Sequence, residues 1–166
     1  MVSYRLQPEY HTMDIRYSLL HTKDTWSLAI LRVFLGLVMF PHGAQKLFGW
    51  FGGHGPSGFL GGFEQMSGLP GFLGWLVIII EFVGAICLIV GFWTRLWAFC
   101  VICLFAGIIL MVHLPYGFFM NWGGNQAGEG FEYHLLVIGM AWALTVGGAG
   151  KLSADHAMMG TERTML

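Results

Sequence analysis

Charge is what this sequence has least of. Eight basic and nine acidic side chains share 166 residues, so charged residues make up 10% of the chain. An ordinary soluble domain carries about 25%. So sparse a set cannot cover a water-exposed surface of this size, but it suffices if most of that surface faces lipid. The net charge of -1 gives no electrostatic ground for a nucleic-acid partner. Only three cysteines are present, all inside apolar runs, which argues against a secreted disulfide framework. The first 26 residues lack an apolar run ending in a small-residue cleavage site, and they carry Arg5, Glu9, Asp14, Arg16, Lys23 and Asp24. They do not read as a signal peptide, so the first apolar run is expected to stay as an anchor. Also absent are a P-loop, a G-x-S-x-G and an H-E-x-x-H.

Hydrophobic residues, by contrast, make up 56% of the chain, with 25 glycines and 26 aromatics. A membrane span needs about 20 mostly apolar residues. Four segments qualify, at about 26–48, 72–94, 96–114 and 131–146, the third stopped by Pro115. The expected fold is therefore all-α, an integral membrane four-helix bundle. A polar arm (1–25) precedes the membrane domain (26–150), and a tail (151–166) follows it. Arg5, Arg16 and Lys23 in the arm, Arg95 between spans two and three, and Lys151 and Arg163 in the tail all fall on one side of a four-span chain. The positive-inside rule then places both termini in the cytoplasm. Long Gly-rich loops, 49–71 and 116–130, cap the outer end. Phe59, Leu60, Phe63 and Met66 have helical spacing and predict a short helix in the first loop.

Ionisable residues within spans are costly and call for a partner or a purpose. Arg32 in span one and Glu81 in span two lie within about two helical turns in depth. They read first as a register-fixing intramembrane ion pair and second as a proton relay or anion site. His42, Lys46, His113, Glu132 and His134 come from three spans at a similar outer level. Such a set suits a quinone head group, with His or Lys donating to a carbonyl, or a metal; a polar rim satisfied by loop backbone and water is the plainer reading. No tightly spaced metal motif supports the metal. His11, His21, His54 and His156 fall in arms or loops and are expected to face solvent. Cys100 and Cys103 form a C-x-x-C inside span three, which would suit a thiol oxidoreductase. No basic side chain close in sequence would activate the thiols, and small packing residues are the simpler reading. Ser153 is placed to cap a short helix with His156 in its first turn.

Several of these residues share an ordered pattern. Arg32, Gly36 and HGAQKLFG (42–49), then Glu81 in EFVGAICLIVGFWTR ending at Arg95, then His113 in VHLPYGFF, Glu132 and GAGKLSADH, together resemble the DoxX family of small bacterial membrane proteins. The resemblance implies a four-helix membrane bundle in the bacterial inner membrane. It also implies a subunit linked to a redox or electron-transfer system, since the family includes proteins similar to small subunits of thiosulfate:quinone oxidoreductase. Quinone is the cofactor this suggests; Arg32, His42, Lys46, Glu81, Arg95, His113 and Glu132 are the matching positions. Two alternatives accompany it. One is an accessory subunit of a larger respiratory or photosynthetic complex; the other is a small-molecule channel or transporter. Expected partners are membrane lipids and either other membrane subunits or further copies of the chain.

Overall fold

A computed structural model describes residues 15–163, and the side-chain surroundings of 18–159. Most of the expected arm, with Arg5 and His11, lies outside the described residues, as do the side chains of Arg16 and Arg163. Among the described residues the regular structure is all helical, with the α-helices in order α1 (Ile15–Leu20), α2 (Trp26–Phe48), α3 (Gly55–Ser67), α4 (Gly71–Val90), α5 (Thr94–Ile108), α6 (Glu132–Gly147) and α7 (Ala154–Arg163). α5 runs on through a π-helical turn, Ile109–His113, and a 3-10 turn, Leu114–Tyr116, where Pro115 ends it.

α2, α4 and the α5 unit to Tyr116 are long and apolar enough to cross a membrane. α6 is apolar but shorter, 16 residues, or about 24 Å. The four helices close a ring, α2 on α4, α4 on α5, α5 on α6 and α6 on α2. The ring's interior holds Leu35 and Met39 of α2, Ala85 and Leu88 of α4, Val101 and Phe105 of α5, and Val137 and Leu144 of α6. Its outside is equally apolar: Phe34, Leu76, Val83, Leu110 and Leu136 are all exposed. A helix apolar on every side is solvated by lipid rather than water. This is an all-α membrane protein.

Left-handed glycines end three helices. Gly49, Gly68 and Gly91 sit at φ +72°, +68° and +75° after α2, α3 and α4, and their N–H groups return to Gln45, Glu64 and Cys87. Small residues set the α2–α4 register. A Cβ on Gly36 would fall 2.7 Å from the Ala85 carbonyl, and one on Gly43 2.6 Å from that of Glu81. Backbones this close gain dispersion contacts that lipid cannot offer.

At the end bearing the termini, Arg32 is 2% exposed and acts as a clasp. Its Nε donates to Ala149 (2.9 Å), its Nη1 to Leu88 (3.1 Å) and Ile89, and its Nη2 to Lys151 (3.2 Å) and Leu152 (2.5 Å), all backbone carbonyls. A helix C-terminus leaves carbonyls without intrahelical donors, and here one guanidinium serves the end of α4 and the turn after α6. Asp155, 1% exposed, accepts the Trp93 and Thr94 N–H groups at 2.7 and 3.0 Å and so caps α5. Ser153 Oγ accepts the His156 N–H at 3.2 Å and caps α7.

Candidate functional site

The opposite end carries the loops and a cavity. Lys46, in the last turn of α2, faces Glu81, midway along α4, with Nζ 2.5 Å from Oε2. The two side chains are 20% and 6% exposed. Gly43 explains the meeting: its contact with the Glu81 backbone brings the helices together one turn before Lys46. Nζ also lies 3.4 Å from the His42 carbonyl and 5.3 Å from the centre of the Phe59 ring, so the ammonium is held by an ion pair and a cation–π contact.

This pair forms part of the wall of a cavity of about 510 Å³. α3 folds back against the start of α4, where a Cβ on Gly74 would meet Leu60 and Phe63. Beneath it, Phe59, Phe63 and Met66 of α3 face Leu73, Val77 and Ile80 of α4 and Leu104 and Met111 of the α5 unit. The lining is overwhelmingly apolar, with Lys46, Glu81, Ser67 and His54 as its polar groups. Its size falls within the range of about 300–1,000 Å³ typical of small-ligand sites, and an apolar chamber with a few convergent polar groups is their usual form. The π-helical turn contributes Met111 and Val112 to the wall; such turns are frequent at functional sites.

The structure redistributes the residues singled out from the sequence. Arg32 does not pair with Glu81. The register set by Gly36 and Gly43 brings Arg32 level with Leu88 and Ile89, two turns from Glu81, and Lys46 takes the carboxylate instead. The outer five do not converge. Lys46 joins Glu81 at the cavity, while His42 is exposed on α2. His113 and His134 meet at 4.1 Å between ring centres, with His113 Nδ1 2.7 Å from the Glu129 carbonyl and His134 buried. Glu132 accepts the Met120 N–H at 3.0 Å and so braces the second loop. Arg95 donates to the His21 and Thr145 carbonyls at 3.0 and 2.8 Å. Cys100 and Cys103 are free thiols, and Cys103 lines the cavity. His54, expected to face solvent only, is exposed and also borders the cavity mouth. Among the described residues no three His, Cys, Asp or Glu side chains gather as a metal site.

The DoxX family model matches residues 27–114, more than half of the chain. The chain belongs to the DoxX family. The matched stretch runs from the start of α2 through the π turn, so the cavity of this DoxX protein, from Lys46 to Val112, lies wholly inside it. α6, with Glu132 and His134, lies outside it. Searches of curated proteins and of solved structures find no match.

Proposed function

We propose that this DoxX protein is a membrane component of a redox or electron-transfer system and binds a quinone-class ligand in the cavity under α3. The observation that carries this reading is the Lys46–Glu81 pair in the wall of an otherwise apolar chamber. A planar conjugated ring bearing carbonyls needs an apolar slot and one strong donor. Lys46 offers three N–H donors: one is committed to Glu81, one lies near the His42 carbonyl, and the third faces the Phe59 ring. The third donor takes the ligand carbonyl when Phe59 moves aside. Phe63, Val77 and Leu104 pack the ring and exclude water. Glu81 keeps the ammonium compensated while the site is empty.

The test is binding of decylubiquinone to the purified protein, followed by calorimetry. A hydrogen bond from a charged donor contributes about 1.5–3 kcal/mol, so Lys46→Met should weaken binding by about tenfold or more. Equal binding by both proteins would remove the cavity from the account.

A second reading is a non-catalytic subunit packed against a larger complex. Phe119 and Trp122, 68% and 88% exposed in the loop before α6, favour it. Native mass after mild-detergent extraction decides: a large assembly supports this reading, a monomer or homo-oligomer removes it. The basic-residue asymmetry supports both termini in the cytoplasm, which terminal reporter fusions test, and the resemblance to small bacterial membrane proteins supports a bacterial inner membrane location.

A further inference from the structure

A bilayer is rich in long-chain carboxylates, and a lone lysine in an apolar membrane cavity would be a ready receptor for them. Lys46 is not alone. Glu81 Oε2 sits 2.5 Å from Nζ, at the place where an incoming carboxylate would form its ion pair. Glu81 has little freedom to withdraw: its side chain is 6% exposed, and Gly43 pins its backbone against α2. A second carboxylate entering the cavity would face a like charge and would leave one of the two buried without a partner, which is strongly unfavourable.

We infer that Glu81 is a specificity-determining residue of the cavity: it turns away anionic amphiphiles and admits uncharged heads that accept one hydrogen bond from Lys46. This rests on the cavity reading above. Specificity here comes from a repulsive element as much as an attractive one. The same charge rule predicts two reversals. Glu81→Gln exposes an uncompensated ammonium and opens the cavity to carboxylates. Lys46→Met exposes an uncompensated carboxylate and opens it to long-chain amines.

The experiment titrates the full chain in nanodiscs with decylubiquinone, palmitate and dodecylamine. For the wild-type protein, palmitate should bind at least about tenfold more weakly than decylubiquinone. Glu81→Gln should bind palmitate at least about tenfold more tightly than the wild type does, and Lys46→Met should gain dodecylamine likewise. The double variant, with no charge left, should gain neither. Wild-type binding of palmitate as tight as that of decylubiquinone overturns the inference while leaving the cavity as a site. So does a Glu81→Gln variant that folds but gains no palmitate. Wild-type binding of none of the three probes overturns the cavity reading and the inference together. If either single variant fails to fold, the other variant and the wild-type selectivity still decide.

Discussion

Gly43 and Glu81 lie in backbone contact: a Cβ on the glycine would fall 2.6 Å from the Glu81 carbonyl oxygen. This contact sets both the spacing of α2 and α4 and the meeting of Lys46 with Glu81. Gly43→Ala should therefore push the helices apart, despite the better helix propensity of alanine. Overpacking of this kind costs about 1–3 kcal/mol. Thermal unfolding in detergent should show a lower midpoint, and ligand binding should weaken along with it. An unchanged midpoint would mean that the two helices are not locked at this point.

Arg32 uses five donors on five carbonyls. Lysine keeps the charge but offers three donors, so Arg32→Lys leaves at least two of these five carbonyls without their guanidinium donor. At about 1–3 kcal/mol for each group left unsatisfied, the variant should lose about 2–6 kcal/mol of stability. Chemical denaturation of the purified protein measures this. A lysine variant as stable as the wild type would show that charge, not the fan of donors, closes this end of the bundle.

Burial pushes the Asp155 carboxyl above its ordinary value of 3.8, against the opposing pull of the Thr94 and Trp93 N–H groups and of Arg32. A carboxyl raised on folding contributes stability that is fully present below its unfolded pKa and fades as pH rises through the folded one. Asp155→Asn has no such titration and loses one acceptor for the α5 cap. The wild type should hold its advantage over Asp155→Asn most strongly at acid pH, and that advantage should shrink as pH rises above the ordinary carboxylate value of 3.8. Paired melting curves across that range check the sign; an advantage that grows with pH would contradict it.

Much of this architecture was legible in the sequence. Four apolar runs gave the helices because a bilayer imposes a length, and the spacing of Phe59, Leu60, Phe63 and Met66 announced α3. Ser153 announced the cap of α7. The site was harder to see. Depth counted from helix ends locates a residue only to within a turn or two, which is why Arg32 and Glu81 looked like partners. The seven-residue interval between Gly36 and Gly43 was the signal for the true register, and it places Lys46 by Glu81. The cavity has no local signature, because it exists only where α3 folds back over α4 and α5. Gly58, Gly62 and Gly107 leave room in its wall, yet in sequence they are indistinguishable from glycines that serve packing or turns.

Gly107 supplies the most direct measurement. It lines the cavity, lies within α5, and a Cβ added there meets no atom within 4 Å. Leucine at this position narrows the chamber. It also removes a helical glycine, worth about 0.5–1 kcal/mol in favour of the helix. Decylubiquinone binding should therefore weaken by about tenfold or more in Gly107→Leu while the unfolding midpoint stays level or rises. Full binding by a stably folded Gly107→Leu protein would contradict the account and place the ligand elsewhere, with the His113–His134 pair as the next place to look.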